Sequence, residues 1–501
     1  MKKAIVTLGI LGTLLVIWIY SGSEQNTFNS SKYLYLLDST ILRIDTIAKG
    51  LCVPWEIALD TDGHLWFTEQ FGRISRLDLK SGEQKVMLEL TDVFQERTSG
   101  LLGMTLHPDF AKKPYVFITY TARKTSKRNV SRVVRYTYEE DSLLYPLVFL
   151  EYPAWKAHFG ARVIISPEDE VIVATGDGAQ NGNAQSVLSV NGKILRYHID
   201  GSIPVDNPLP NNPVWAWGLR NPQGLTYTEN NKLFSSDHGD ATDDEVNRIE
   251  KGKNYGWPTI EGYVDSEQEK HFARDTPVVS PLIAWTPTVA PAGLAYYNYA
   301  TIPEWKNSLL LATLKGNSIR VLQLNPNQDK ITVDYPIFQQ VFGRIRAICT
   351  SPEGEVYFST SNKDWNPNGI AEEADDKIIR ISKLNRKTNN KDSILHAKAV
   401  VQNTSLSNGE TLYTNYCLSC HKPDGRGIPA IYPSLVENTI VENNQTKFIK
   451  LVLEGNKEMP NFSFLEDEEL AAILTYVRRK FTSQQTGISS QQVKQHRKDY
   501  K

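Results

Sequence analysis

Cys417, Cys420 and His421 form the string C-x-x-C-H, the spacing at which haem is attached covalently to a protein. The two thiols bond the vinyl groups of the porphyrin, and the adjacent imidazole becomes an axial ligand of the iron. A zinc site is the alternative, but it requires four ligands, and no second Cys/His pair follows. Met459, beside Pro460, is the only methionine after Cys417 and offers a thioether as the second axial ligand. The string therefore predicts a c-type haem that carries electrons.

The residues around this string predict two helices that frame it. The first would lead into the thiols, on the spacing of Glu410, Leu412, Tyr413 and Tyr416. Residues 468–479 have apolar side chains at i, i+3, i+4 and i+7 and a basic end, which predicts a closing helix. Together with the turn 423–427, Pro429 and the Met459-Pro460 pair, this pattern resembles a class I cytochrome c domain. The resemblance covers about residues 403–483.

The chain between residues 33 and 384 shows no long helical periodicity. Short runs of β-branched and aromatic residues alternate there with Gly, Pro, Asn and Asp. Six times an apolar strand, a tight acidic turn and a second aromatic strand follow one another, starting at Ile57, Met104, Val163, Leu225, Leu294 and Ala347. These units predict a mainly β fold, a six-bladed β-propeller followed by a small all-α domain. A sandwich or barrel with long insertions is the alternative.

Four basic residues lie in polar strings that interrupt these strands: Arg220, Lys315, Arg344 and Arg346. In a propeller the loop ends of the inner strands converge on the central channel, so these side chains would form one cationic cluster. Converging cations need an anionic guest, and arginine forks suit carboxylates. The alternative is that each cation pairs with a local Asp or Glu.

The N-terminal segment, residues 1–23, predicts a signal peptide or an N-terminal membrane anchor. Two lysines precede an uncharged apolar run at residues 4–20. Either outcome places the rest of the chain outside the cytoplasm, where haem c is attached. Residues 385–402 are polar and are expected to form a linker. Residues 484–501 are rich in Gln, Ser and Lys and are expected to form a flexible tail.

The overall composition limits the classes of partner. The 501 residues carry a net charge of −2, which gives no indication of a nucleic-acid partner. Two of the four cysteines, Cys52 and Cys349, lie outside the haem string. They could pair in an oxidising compartment or remain buried thiols, and the sequence leaves both possibilities open.

Four further strings, taken in order, resemble the glucose/sorbosone dehydrogenase family of six-bladed propellers that use pyrroloquinoline quinone (PQQ). They are RNPQGL at 220–225, DDEVN at 243–247, NYGWP at 254–258 and PTVAP at 287–291. The resemblance covers roughly residues 45–384, nearly the whole expected propeller.

The resemblance implies roles for particular residues. His158 matches the base that takes the proton from a sugar hydroxyl, and Arg220 matches the residue that polarises the quinone oxygens. Further positions match the groups that hold the cofactor: Asn221, Thr288, Lys315, Arg344 and Arg346. A calcium ion would bridge PQQ to the backbone carbonyls of Gly239 and Asp240. A structural calcium ion is expected near Asp244, Glu245 and the Tyr255 carbonyl.

The chain also departs from the family pattern. Thr98 replaces a Gln and Ala157 replaces an Asp of the soluble glucose dehydrogenases. His238 replaces a Gln, as in the aldose sugar dehydrogenases, and Asp240 replaces a Pro. The residues that grip the cofactor are retained, whereas the wall that faces the sugar differs.

These observations predict an enzyme, a PQQ-dependent dehydrogenase of an aldose or polyol with its own haem as electron acceptor. The cofactors expected are PQQ, haem c and calcium. The partners expected are a sugar and an external electron acceptor, either a cytochrome or a membrane respiratory chain. Two alternatives stay open: a PQQ-free recognition propeller attached to a cytochrome, and a plain electron carrier whose propeller docks partners.

Overall fold

The computed structural model describes residues 33–125, 128–180, 182–364, 371–384, 393–395, 408–427, 432–456, 459, 462–463 and 465–498. The expected signal or anchor at residues 1–23 lies outside these described residues. Within them, no helix combines the length and the apolar character needed to cross a membrane.

Six β-sheets stand around a common axis, which confirms the predicted six-bladed propeller. The first strand of each blade lies innermost and touches the first strands of the two neighbouring blades. Middle strands are covered on both faces and are therefore largely buried. The strand Ser308–Thr313, for example, is buried at all its positions, whereas the outer strand Gln84–Glu89 is largely exposed.

The chain begins with two strands that belong to the last blade, β1 (Tyr33–Leu36) and β2 (Ile41–Lys49). Blade 1 consists of β3 (Pro54–Leu59), β4 (His64–Glu69), β5 (Arg73–Asp78) and β6 (Gln84–Glu89). Blade 2 consists of β7 (Leu101–Leu106), β8 (Tyr115–Thr125), β9 (Arg128–Glu139) and β10 (Ser142–Pro153). Blade 3 consists of β11 (Gly160–Ile165), β12 (Glu170–Thr175), β13 (Lys193–His198) and β14 (Val214–Trp217).

Blade 4 consists of β15 (Pro222–Tyr227), β16 (Leu233–Asp237), β17 (Asp244–Ile249) and β18 (Ile283–Trp285), with helix α1 (Glu267–Asp275) between the last two. Blade 5 consists of β19 (Pro291–Tyr297), the 3₁₀ turn Pro303–Trp305, β20 (Ser308–Thr313), β21 (Ser318–Leu324) and β22 (Ile331–Ile337). Blade 6 begins with β23 (Ile345–Thr350), β24 (Val356–Thr360) and β25 (Lys377–Lys383), to which β2 and β1 are added.

The ring is closed by strands from opposite ends of the propeller sequence. Strand β2 pairs antiparallel with β25, with Leu42 opposite Lys383 and Ala48 opposite Ile378. A short strand β26 (Ser393–Leu395) then pairs in parallel with β1. The expected linker 385–402 is therefore not wholly irregular, because part of it extends the sheet of blade 6.

A side chain of blade 5 also holds the first strands in place. Glu304 accepts hydrogen bonds from the backbone amides and hydroxyls of Ser39 and Thr40, at 2.8–2.9 Å. Burial alone would raise the pKa of Glu304, but hydrogen bonds, including those from Ser39 and Thr40, outweigh it and lower the pKa to about 2.

Cys52 and Cys349 are free thiols, so the disulfide that the sequence left open is not formed. Burial raises the pKa of both thiols, which makes them inert side chains of the core region.

The C-terminal domain is helical. It contains α2 (Asn408–Tyr416), α3 (Leu418–His421), α4 (Thr439–Asn443), α5 (Gln445–Glu454), α6 (Asp467–Phe481) and α7 (Ser490–Lys498). Helices α2 and α6 confirm the two helices predicted around the haem string. Helix α6 has acidic residues in its first turn and basic residues in its last, which suits the helix dipole.

The prediction of a flexible tail from residue 484 onward is wrong for residues 484–498. The side chains of Ile488 and Val493 are 5 % and 0 % exposed in the core of the helical domain. The buried guanidinium of Arg478 donates to the Thr486 carbonyl at 3.0 Å. Two apolar residues and a set of backbone hydrogen bonds are enough to order a segment whose composition is otherwise that of a disordered chain.

Candidate functional site

His158 lies on the blade 2 to blade 3 connection, two residues before β11, and its Nδ1 lies 2.7 Å from Oδ1 of Asp177. The His158 backbone has φ 53°, a left-handed conformation that costs energy in a non-glycine residue and is found preferentially at functional sites. Burial alone would raise the pKa of Asp177, but the hydrogen bond and charge of His158 outweigh it, so the pKa lies below its usual value. The carboxylate is thus ionised and holds the imidazole in one orientation.

Asp177 follows β12 and stands between two glycines that the site requires. A Cβ on Gly176 would lie 1.9 Å from the His158 carbonyl oxygen. Gly178 has φ +72°, and a Cβ there would lie 2.3 Å from Cδ1 of Trp155. The backbone can therefore bring Asp177 against His158 only because both neighbours lack side chains.

Trp257 connects Asp177 to a second functional residue. Its indole N–H donates to Oδ2 of Asp177 at 2.7 Å. The guanidinium of Arg220 lies over the Trp257 ring, 5.2 Å from its centroid. Sequence reasoning missed Asp177 and Trp257. The string T-G-D-G at 175–178 was the available signal, since an Asp between two glycines at a strand end marks a constrained carboxylate.

Arg220 and Asn221 are positioned by a buried carboxylate at the end of β16. Their backbone amides donate to the two oxygens of Asp237 at 2.9 and 2.6 Å. The side-chain oxygen of Asn221 accepts from the Gly160 amide at 3.0 Å, which ties it to the His158 turn. The Arg220 guanidinium pairs with Asp240 at 2.6 Å, and its Nε is buried without a hydrogen-bond partner among the described residues.

The other predicted cations come from blades 5 and 6. Lys315 donates to the Thr288 hydroxyl at 2.8 Å. Arg346 pairs with Asp364, and the Arg344 guanidinium lies 3.6 Å from the same carboxylate. Arg344 and Arg346 therefore have a local acidic partner, as the alternative interpretation predicted. They share the single carboxylate of Asp364.

His238 shows that these groups face one another. Burial, together with the charges of Arg220, Arg346 and His158, lowers the pKa of His238 to about 3. The imidazole is therefore neutral, and its Nε2 is buried without a partner in the described part of the chain. A buried acceptor on His238 and a buried donor on Arg220 Nε are the features expected around a polar guest such as PQQ, so the residues present fit that cofactor.

Asp244, which is predicted to lie near a structural calcium ion, also fixes the backbone of two loops. Its carboxylate accepts backbone amides of Gly239, Val289 and Ala290 at 2.9, 2.6 and 2.6 Å. These bonds fix the loop of Gly239 against the start of blade 5. Burial raises the pKa of Asp244 to about 6, and the three amides oppose that shift.

Glu245 lies in a separate group of carboxylates that includes Asp237 and Glu261. Burial and, to a smaller extent, neighbouring acidic groups raise the pKa of Glu245 to about 8 and that of Asp237 and of Glu261 to about 7. These carboxylates line a small cavity together with Gly239 and Tyr255. A cation would relieve their mutual repulsion, so the oxygen-rich cavity fits calcium.

Side chains alone do not build a metal cage there. Among the described residues, no three His, Cys, Asp or Glu side chains converge as a metal-binding group. The predicted calcium positions depend on backbone carbonyls of Gly239, Asp240 and Tyr255, and these remain predictions.

The C-x-x-C-H string spans Cys417, which precedes α3, to His421, its last residue. The His421 Nδ1 lies 3.1 Å from the Pro433 carbonyl oxygen. Nδ1 therefore carries the proton, and Nε2 keeps the lone pair that a metal requires. Met459 packs against the core of the helical domain, and Asn456 fixes its backbone through hydrogen bonds of 2.8 and 3.0 Å. His421 therefore fits a haem-iron ligand, and Met459 as the second ligand remains a prediction.

Groups of the haem string and of the propeller site act on one another electrostatically. Burial lowers the pKa of Lys315, while the charges of Asp244, Cys417 and Cys420 act in the opposite direction. The charge of Arg344 likewise contributes to a lowered pKa of Lys422, the residue after His421.

The helical domain matches a known cytochrome family. Residues 404–477 match the family described as cytochrome c oxidase, cbb3-type, subunit III. The fructose dehydrogenase cytochrome subunit of Gluconobacter japonicus is 37% identical over 110 residues, which are 19% of this chain and 23% of that protein. The C-terminal domain is therefore a cytochrome c domain.

The propeller has well-covered relatives. Quinoprotein glucose dehydrogenase B of Acinetobacter calcoaceticus is 30% identical over 64% of this chain and 85% of its own length. The PQQ-bound aldose sugar dehydrogenase of Streptomyces coelicolor superposes with a TM-score of 0.60 at 29% identity, over 68% of this chain and 98% of that one. Residues 51–367 match the family described as glucose/sorbosone dehydrogenase. Since that match covers more than half of the sequence, the chain belongs to the glucose/sorbosone dehydrogenase family and carries a cytochrome c domain at its C-terminal end.

Proposed function

We propose that this protein is a quinoprotein dehydrogenase that oxidises a sugar hydroxyl and passes the electrons through its own haem to an external acceptor. The His158–Asp177 pair beside Arg220, in a propeller of this family, is the observation that carries the proposal. The C-x-x-C-H string on the same chain supplies the electron outlet.

The proton transfer follows from the geometry of the pair. Because the ionised Asp177 carboxylate accepts from Nδ1 of His158, Nε2 holds the lone pair and acts as the base toward the sugar hydroxyl. Asp177 then stabilises the imidazolium that forms. Trp257 keeps the carboxylate from rotating, since it occupies the second oxygen. Bound PQQ supplies the two-electron acceptor, and haem c supplies the one-electron carrier.

The cationic residues would bind and orient the cofactor. Lys315, Arg344 and Arg346 present positive charge to carboxylates, while Thr288 and Asn221 provide polar contacts. Arg220 is placed to stabilise negative charge on the quinone oxygens. Calcium would lie near the carbonyls of Gly239 and Asp240, where the surrounding carboxylates make a cation favourable.

The proposed location is outside the cytoplasm, in the periplasm or secreted, or anchored to the inner membrane by residues 1–23. The apolar run behind two lysines and the haem string support it. The proposed external acceptor is a cytochrome or a membrane respiratory chain.

Haem reduction in the purified holoprotein, loaded with PQQ and calcium, tests the function. A panel of aldoses and polyols is added and the reduced haem bands are followed. We expect at least one sugar to reduce the haem, and His158→Ala to abolish this reduction without changing reduction by dithionite. His198→Ala replaces a half-exposed imidazole of the same blade and is the matched control.

Two negative results have different meanings. PQQ binding without turnover on any sugar would contradict the substrate class. Absence of PQQ binding would contradict the dehydrogenase and leave a cytochrome with a recognition propeller.

A further inference from the structure

Helix α7 lies against the segment that carries the proposed haem ligand Met459. That segment connects the end of α5 at Glu454 to the start of α6 at Asp467. Its first half is held by Asn456, and Phe462 is 5 % exposed and donates its amide to the Val452 carbonyl at 3.0 Å. The carbonyls of Ser463 and Leu465, which follow Phe462, accept hydrogen bonds from α7.

Arg497 binds the second half of the Met459 segment and the start of α6 with all three nitrogens of its guanidinium. Nε donates to Oδ1 of Asp467 at 2.8 Å, and Nη2 donates to the Leu465 carbonyl at 2.7 Å. Nη1 donates to the Ser463 carbonyl. A guanidinium that spans two backbone carbonyls and a carboxylate fixes their relative positions, because its donors form a rigid planar fork.

Helix α7 depends on the rest of the domain for its own order. It has nine residues, and a helix of this length is marginal on its own in water. Val493 is fully buried and Thr475 binds both the amide and the carbonyl of Ile488, at 2.8 and 3.1 Å. The helix is thus docked on α6, and Arg497 extends from it to the Met459 segment.

We propose that α7 is a latch for the axial ligand, in which Arg497 holds the Met459 segment closed and so keeps the thioether on the haem iron. This rests on the proposed ligation of haem by His421 and Met459. Arg497 is a positioning residue, since it acts through the segment and does not touch the haem. The C-terminal residues thereby belong to the redox site.

Imidazole titration of the ferric holoprotein measures the latch directly. Added imidazole can take the sixth position only when Met459 leaves, so its apparent affinity reports how often the segment opens. Loss of hydrogen bonds from a charged donor is worth about a tenfold change in an equilibrium. We therefore expect Arg497→Gln in the full-length protein to bind imidazole about tenfold more tightly.

Three further variants make the result decisive. Lys494→Gln removes an exposed charge from the same helix and should bind imidazole like the wild type. Arg497→Lys keeps the charge but cannot span three oxygens, so an intermediate affinity is expected; it replaces Arg497→Gln if that variant fails to fold. Met459→Leu removes the thioether itself and should bind most tightly.

Wild-type affinity in both Arg497 variants, with tighter binding in Met459→Leu, would overturn the latch and leave the haem ligand intact. Wild-type affinity in Met459→Leu would overturn the proposed ligand and the latch with it. Neither measurement involves the sugar or PQQ, so both are independent of the dehydrogenase activity.

Discussion

Asp177 joins three groups that come from separate parts of the chain. It accepts from His158 on one oxygen and from Trp257 on the other, and its amide donates to the Arg220 carbonyl at 2.8 Å. A single residue thus sets the tautomer of the base and the position of the neighbouring cation. Such a residue is sensitive to replacement even by an isostere, because its charge and its hydrogen-bond acceptors are both used.

Asp177→Asn should lower kcat for sugar oxidation by about 10²–10⁴-fold, because an amide can place the His158 proton on the wrong nitrogen. KM should change little, since the Asp177 side chain is buried and both of its oxygens are occupied by His158 and Trp257. Steady-state kinetics on the sugar identified by haem reduction measures the effect.

Asp169→Asn is the matched control for this substitution. Asp169 pairs with His107 in a similar way, on the side of blade 3 away from the site. It should leave kcat unchanged. Equal losses in the two variants would mean that the Asp177 effect reflects stability alone.

Lys315→Met should weaken PQQ binding by about 10–150-fold, the factor expected when a charged hydrogen bond to a carboxylate is lost. Fluorescence titration of the apoprotein with PQQ gives the dissociation constant. Lys306→Met, which removes an exposed lysine of the same blade, is the control. Unchanged affinity in Lys315→Met would show that the cofactor carboxylates bind elsewhere.

The elements that close the ring are held partly by one ionised side chain. Glu304 accepts four hydrogen bonds from Ser39 and Thr40, the residues between β1 and β2. The pKa of Glu304 is about 2 in the folded protein, against an ordinary value of 4.5. As the pH falls, the Glu304 carboxylate of the unfolded chain takes up a proton at a higher pH than that of the folded protein. The contribution of Glu304 to stability is therefore complete above pH 4.5 and is lost as the pH falls toward 2.

Glu304→Gln should therefore unfold more easily than the wild type at pH 6, and the difference should shrink as the pH falls through 4.5 toward 2. Urea unfolding at a series of pH values measures it. Glu353→Gln, an exposed carboxylate near the same blades, should show no such convergence. A constant difference at all pH values would contradict the role given to the ionised form.

The sequence predicted elements where periodicity was strong and missed those held by backbone contacts. Helix α6 was predicted because EELAAILTYVRR repeats its apolar positions. Helix α7 was missed because its only buried apolar side chain is Val493, and β26 because a strand of three residues is too short for a periodic pattern. The haem ligands and the cations follow from motifs. Arg497 does not, since its partners lie far away in the sequence and are brought close only by the fold. Asp177 is marked by the string T-G-D-G, but its partners could be identified only from the fold.

In the whole molecule, a short stretch of chain joins the propeller to the cytochrome c domain that accepts its electrons. Strand β26 ends at Leu395 and α2 begins at Asn408, so the intervening chain spans at most about 45 Å. A tether of this length gives an effective concentration of order millimolar.

Haem reduction by sugar should therefore follow a rate constant that does not depend on protein concentration. Stopped-flow measurements over a tenfold range of holoprotein concentration test this. A rate constant that rises in proportion to concentration would show transfer between molecules and contradict the internal route.

The pairing of β2 with β25 also has a consequence for the order in which the protein is made. The partner of the second strand of the propeller is its last long strand, Lys377–Lys383, so the ring cannot close until that strand has left the ribosome. Until then β2 lacks its partner strand and the ring stays open at blade 6. The cytochrome segment is synthesised only afterwards. Any chain that stops before residue 377 lacks closure, whereas one that stops between residues 384 and 408 keeps a closed ring without its electron outlet.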